Sequence, residues 1–222
     1  MVKRKRKMPC ALCGETHEVT REHVPPKNLF LAPRPANTIT VPVCKSCNHE
    51  YHLDDEYFRV YVATGAESGT RHWRLWNEKV VGSSFVRGKG LKGRLRDDRM
   101  LAVRQHRSVE PLRTFDGQMV DEKLLPQIQP FDESRINLII EKIVRCLHYY
   151  LERLPLAQSA SLEVDSTPLE DIDLRSLFER RTGHVGDHDE FIFRREHTDP
   201  AGWRWLLAFY VAHTFTVHVH SS

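Results

Sequence analysis

The sequence is organised around two close cysteine pairs, Cys10-Ala-Leu-Cys13 and Cys44-Lys-Ser-Cys47, which enclose the segment Arg21-Glu22-His23-Val24-Pro25-Pro26. Zinc prefers four tetrahedral ligands and binds thiolates readily. A gap of two residues lets both sulfurs of one pair reach the same ion. The pattern therefore predicts a structural zinc site formed by the four cysteines, and the enclosed segment can carry reactive side chains.

The composition is that of a folded globular protein. The chain has 222 residues, of which 40% are hydrophobic, and this is enough for one large domain or two small ones. Its net charge is +3, from 33 basic and 30 acidic residues, so bulk charge is only a weak indication of a nucleic-acid partner.

Cysteine use and hydropathy indicate the compartment. The fifth cysteine, Cys146, stands alone, and this arrangement favours metal binding in a reducing compartment over a disulfide framework. No apolar run is long enough to span a bilayer, and the N-terminus lacks the apolar core of a signal peptide. We expect a cytoplasmic protein with no membrane partner.

The local pattern around the cysteines predicts the order strand, strand, helix. Residues 19–24 alternate as a short strand, which Pro25 and Pro26 must end because neither can donate to a ladder. Residues 38–43 predict a second strand, and residues 48 to about 65 a helix. On that helix Asn48 and His52 are four residues apart, so both side chains can share one ion.

These residues resemble the HNH endonuclease superfamily, also called the ββα-metal nucleases, and in particular its zinc-containing endonuclease VII type. The resemblance covers roughly the first 60 residues and implies structural zinc at the four cysteines. It also implies that Glu22 and Asn48 bind a catalytic divalent ion and that His23 is the general base. Other branches of the family place two ligands four residues apart on the helix, which would add His52. The family's middle Asn supports the base, and Asn37 is the nearest candidate.

Two departures from the commonest family pattern affect the expected ion. Glu22 stands where Asp or His is usual, and Asn48 stands where His is frequent. Both supply oxygen ligands, which favour Mg²⁺ or Mn²⁺, although His52 keeps Ni²⁺ or Zn²⁺ possible.

Two classes of function remain open at this stage. The first is a metal-dependent endonuclease that hydrolyses phosphodiester bonds in DNA, with a setting in bacterial antiphage defence or restriction by resemblance. In that reaction a neutral imidazole can accept the proton of the attacking water. The second is an inactive zinc-stabilised module that binds nucleic acid or protein, which would need the four cysteines alone.

The remainder of the chain predicts an α+β protein in three parts: residues 1–65 as the ββα-metal module, 66–130 as a helical and basic connecting region, and 131–222 as an α+β accessory domain. The basic run at residues 3–7 is either a solvated tail or a phosphate contact. The connecting region mixes Trp73 and Trp76 with many cations, and it either lines a nucleic-acid groove or covers a core.

The accessory domain is predicted from periodicity. Residues 134–154 carry apolar side chains at helical spacing, and residues 190–194, 203–211 and 215–220 alternate as strands of an antiparallel meander. This half of the chain shows no catalytic motif, so it is expected to select the substrate, to form a homodimer or to bind a partner protein.

Overall fold

The computed structural model describes residues 7–64, 66, 69–81, 131–187, 190–198 and 202–220. Helices and antiparallel sheets make up these residues, which confirms the predicted α+β class. The strands are β1 (Lys7–Pro9), β2 (Thr16–Val24), β3 (Ile39–Cys44), β4 (Ser161–Ser166), β5 (Gly183–Val185), β6 (Phe191–Thr198), β7 (Gly202–Phe209) and β8 (His213–His220). The helices are α1 (Lys45–Glu50), α2 (His52–Val62), α3 (Arg71–Leu75), α4 (Glu133–Glu152) and α5 (Leu174–Glu179), with a π-helical segment at Trp76–Val81.

The N-terminal part has the predicted order of strand, strand and helix. The strands form an antiparallel sheet in the order β1-β2-β3, and β2 pairs with β3 from Val19 opposite Cys44 to Val24 opposite Ile39. The helix that follows is not continuous, because α1 ends before Tyr51 and α2 begins after it. The prediction of one helix from residue 48 is therefore corrected to two short helices.

The C-terminal part is a five-stranded antiparallel sheet in the order β4-β8-β7-β6-β5. The meander of β6, β7 and β8 confirms the prediction from alternation. The edge strands β4 and β5 were not predicted. In β4 only Leu162 and Val164 are apolar, and both are partly buried, so its alternation is too short to mark a strand; β5 has only three residues.

Helix α4 joins the two parts into one core. It begins at the cap residue Asp132, whose carboxylate accepts a hydrogen bond from the Ser134 amide, and it ends at Arg153 in the left-handed region with φ 61°. The helix packs against α2, β2 and β3 on one side and against β4 and β8 on the other. A single hydrophobic cluster runs from Cys10 through Ile140 to Val219. The predicted modules 1–65 and 131–222 therefore share their core.

Most of the predicted connecting region, residues 82–130, lies outside the described residues, and so do the basic residues 3–6. The prediction that the cations of this region line a nucleic-acid groove or cover a core therefore falls mostly outside the described residues. Of its aromatic residues, Trp73 in α3 is 39% exposed and Trp76 is partly buried. Within the described ranges, no helix combines the length and the apolar character that a membrane crossing requires.

Candidate metal centre and catalytic residues

The four cysteine thiols lie together, with all their sulfur atoms within 4.8 Å of one another. None of them forms a disulfide, and the Cys13 and Cys44 sulfurs are 4.0 Å apart. Four sulfurs that each lie about 2.3 Å from one zinc ion are about 3.8 Å apart, so the cluster has the dimensions of a tetrahedral thiolate site. The four residues can hold a metal ion such as zinc.

The first cysteine pair is shaped by a tight backbone turn. The amide of Cys10 donates to the Glu15 carbonyl and the amide of Gly14 donates to the Cys10 carbonyl, both at 2.9 Å. Gly14 has φ 77°, a conformation that a side chain would strain. The Ala11 amide donates to the Pro42 carbonyl at 2.9 Å, which fixes this turn against β3.

Backbone amides also point at the sulfurs. The amides of Leu12 and Cys44 each donate to the Cys10 sulfur at 3.4 Å. Burial alone would raise the pKa of Cys44, but hydrogen bonds with Ser46 and with the Cys47 backbone outweigh it and lower this pKa to about 6. Donors aimed at sulfur stabilise thiolates, which is the form that binds zinc.

A second group of possible ligands shares one cysteine with the first. Cys13, Glu15 and His17 also lie within ligand distance of one another, and the His17 ring contacts the Glu15 carboxylate at 2.8 Å. Both of these side chains are exposed. Sequence reasoning gave them no role, although they follow directly after the first cysteine pair.

His23 lies near the end of β2 and pairs with Thr40 of β3. Its side chain is half-buried, and it points away from the face that buries Glu22 and Val24, because successive residues of a strand alternate. Partial burial lowers the pKa of His23, the positive charges of Lys27 and Arg34 lower it further, and Glu22 opposes them. The imidazole is therefore held neutral at physiological pH.

Lys27 and Arg34 were not predicted as site residues. Both side chains are exposed and lie in the segment between β2 and β3, which the sequence showed only as a proline-rich loop. Their influence on the pKa of His23 shows that this segment brings positive charge close to the imidazole.

Glu22 has a partner that the sequence did not reveal. Its carboxylate is buried and lies 2.6 Å from the ammonium of Lys142 on α4. The same ammonium lies 2.9 Å and 3.0 Å from the two carboxylate oxygens of Asp55 on α2. The available signal was the position of Lys142 on the apolar stripe of α4, three residues after Ile139 and next to Ile143.

The other predicted ligands are distributed over separate elements. The side-chain amide of Asn48 donates to the Thr20 hydroxyl at 3.0 Å, and this bond holds α1 against β2. His52 is exposed at the first residue of α2, beyond the break at Tyr51. Burial raises the pKa of the nearby Asp55 carboxyl to about 6, although the Lys142 ammonium opposes this rise. Asn48 and His52 therefore do not lie on one continuous helix as predicted.

Asn37 makes contacts different from those expected of a residue that supports the base. Its side chain donates to the His184 carbonyl at 3.3 Å and accepts from the Gly186 amide at 3.0 Å. Both bonds go to the backbone at β5, so Asn37 fastens the segment before β3 to the C-terminal sheet.

These positions decide which ions the residues fit. The four sulfurs fit zinc. The set predicted for a catalytic divalent ion does not fit one in this arrangement, because the ammonium of Lys142 already neutralises the Glu22 carboxylate and would repel a second cation beside it.

Comparison with known proteins gives no match: no family model, no curated protein and no solved structure is significantly similar to the chain.

Proposed function

We propose that the protein is an endonuclease that hydrolyses phosphodiester bonds in DNA, with His23 as the general base. The observation that carries this proposal is the position of His23: its half-buried imidazole lies near the end of β2, and the segment that follows carries two exposed cations, Lys27 and Arg34. The direction of the His23 pKa, which burial and these cations lower, agrees with a neutral base. A neutral imidazole can accept a proton, and cations beside it attract a phosphate. The order of two cysteine pairs, paired strands and a helix, as in the HNH pattern, supports the same assignment.

In the proposed reaction, Lys27 and Arg34 bind the phosphate group of the DNA strand and hold it beside His23. The neutral imidazole accepts a proton from a water molecule as its oxygen attacks phosphorus, and the bond to the departing 3′ oxygen breaks. The two cations balance part of the negative charge that grows on the phosphate in the transition state. The zinc site would hold the start of β2 against the end of β3, and His23 lies further along the same strand pair, opposite Thr40.

The first experiment is cleavage of plasmid and linear DNA by the purified protein in Mg²⁺, Mn²⁺, Ni²⁺ and Zn²⁺, with a chelator control. We expect nicked and linear plasmid products without a requirement for added Mg²⁺ or Mn²⁺, because the proposed reaction uses no divalent ion. A strict requirement for Mg²⁺ or Mn²⁺ would instead favour the metal-dependent reaction that the resemblance implies. Binding of DNA without cleavage under every condition would contradict the proposal and leave the zinc-stabilised binding module. The setting in antiphage defence is a further proposal from the resemblance alone.

A double variant tests the two cations. Lys27→Ala with Arg34→Ala should weaken DNA binding on all sequences and reduce the slope of log affinity against log salt by about one for each lost phosphate contact. Because both charges lower the pKa of His23, the pH midpoint of cleavage should also move up toward the ordinary value of 6.5. Fluorescence anisotropy of a labelled duplex and rates measured across pH give both quantities.

The matched control removes two exposed cations elsewhere, by Arg175→Ala with Arg180→Ala. Arg175 lies on α5 and Arg180 directly follows that helix, which packs against β6 on the opposite face of the C-terminal sheet from α4. An equal loss of DNA affinity in this control, or an unchanged salt slope in the first variant, would remove Lys27 and Arg34 from the phosphate site.

A further inference from the structure

Lys142 is a charged side chain in the shared core. It lies on the apolar stripe of α4, beside Ile139 and Ile143, and only 2% of it is exposed. A buried ammonium without a partner is costly, so such residues are found paired with opposite charge. The surroundings of Lys142 must therefore provide that charge.

Two carboxylates from different elements provide it. Glu22 of β2 approaches the ammonium at 2.6 Å, and the two oxygens of Asp55 on α2 approach it at 2.9 Å and 3.0 Å. The ring of Tyr51, at the break between α1 and α2, has its centroid 5.2 Å from the same nitrogen. Burial would lower the pKa of Lys142, but Asp55 and Glu22 outweigh it and raise this pKa, so the ammonium stays charged.

Three carboxylate oxygens, one from Glu22 and two from Asp55, lie within 3.0 Å of the same nitrogen. Carboxylate oxygens are the donors that Mn²⁺, Mg²⁺ and Ca²⁺ prefer. Calcium takes such oxygens at about 2.3 to 2.6 Å, so a shift of a few tenths of an ångström would bring these oxygens within ligand distance of the position that the nitrogen occupies. The side chains of Glu22 and Asp55 are 10% and 17% exposed, so both carboxylates keep some contact with solvent.

We propose that Lys142 is a tethered cation that occupies the ion position between Glu22 and Asp55, and that this position accepts a divalent ion only when the ammonium is removed. One side chain of α4 thereby decides whether the pair of carboxylates, Glu22 and Asp55, binds metal. This inference does not depend on nuclease activity, since it concerns only which cation the two carboxylates hold.

The test is Mn²⁺ binding to the zinc-loaded full chain, followed by calorimetry and by the electron paramagnetic resonance signal of free Mn²⁺. A positive charge beside a carboxylate shifts its pKa by about one to three units, because it disfavours the binding of a proton. The Lys142 ammonium should disfavour the binding of Mn²⁺ in the same way, so Lys142→Met should bind Mn²⁺ at least about tenfold more tightly than the wild type. Mn²⁺ should also raise the melting temperature of this variant and leave that of the wild type unchanged, because a ligand stabilises the state that binds it.

Two controls make the result specific. Lys142→Arg keeps the positive charge and should show no gain, and Lys142→Met with Glu22→Gln should lose the gain. A folded Lys142→Met variant with wild-type Mn²⁺ affinity would overturn the proposal.

A comparison that needs no change at Lys142 decides the case if Lys142→Met fails to fold. The wild type and Glu22→Gln should bind Mn²⁺ equally weakly, because the ammonium already excludes the ion. Tight binding in the wild type that Glu22→Gln weakens would show that a divalent ion and Lys142 share the site, and the proposal would be wrong.

Discussion

Replacement of Cys44 by serine is expected to remove the zinc ion and to unfold β1, β2, β3 and α1. The Cys44 sulfur is one of the four clustered donors, its amide donates to the Cys10 sulfur, and its backbone ends β3 opposite Val19. Structural zinc contributes roughly 10 to 16 kcal/mol of apparent binding free energy in small zinc peptides, which is as large as the roughly 5 to 15 kcal/mol that stabilises a typical native protein. Zinc per chain by mass spectrometry and thermal unfolding by circular dichroism measure the two effects.

Cys146→Ala is the matched control for this prediction. Cys146 is a buried thiol on α4 outside the four-sulfur cluster, and burial raises its pKa, so it is an inert thiol. This variant should keep one zinc ion per chain. If the wild type contained no tightly bound zinc and Cys44→Ser melted like the wild type, the four-cysteine site would be wrong.

The features that the sequence predicted are local. Within each pair, two residues separate the cysteines. One pair precedes β2 and the other begins at the end of β3, and these two strand ends lie side by side, so pairing of the strands is enough to bring the four cysteines together. Helix α4 follows from the spacing of its apolar residues, and the β6 to β8 meander follows from alternation. In each case the decisive pattern lies within one short segment of the chain or within segments that follow one another closely.

The features that the sequence missed depend on contacts distant in the chain. Glu22 meets Lys142 across 120 positions, and nothing in the composition of either segment indicates the pairing. The hydrogen bonds from Asn37 to the backbone of His184 and Gly186 also join distant segments, and no local pattern indicates them. The edge strand β4 was missed because only Leu162 and Val164 mark its alternation and because its partner β8 lies far later in the chain.

His23→Ala is expected to lower the rate of DNA cleavage by about a hundredfold to ten-thousandfold, the usual cost of removing a general base. The zinc content and the DNA affinity should stay near wild type, because His23 belongs to neither the sulfur cluster nor the pair of cations. Removal of a half-buried ring that faces away from the core should also leave the fold intact.

The pH dependence of the wild type follows from the pKa of His23. The base must be neutral to accept a proton, and burial together with Lys27 and Arg34 holds its pKa below the ordinary value of 6.5. Cleavage should therefore persist through neutral pH and fall only as the pH drops below 6.5, where the ring becomes protonated.

The most direct test compares the cleavage rates of the wild type, His23→Ala and His49→Ala on the same plasmid. His49 is an exposed histidine on α1 of the same module, so it controls for loss of any histidine near the zinc site. The preparations must have equal zinc content and equal DNA affinity. We predict that His49→Ala cuts like the wild type while His23→Ala is at least about a hundredfold slower. Cleavage by His23→Ala at the wild-type rate would contradict the role of His23 as the base.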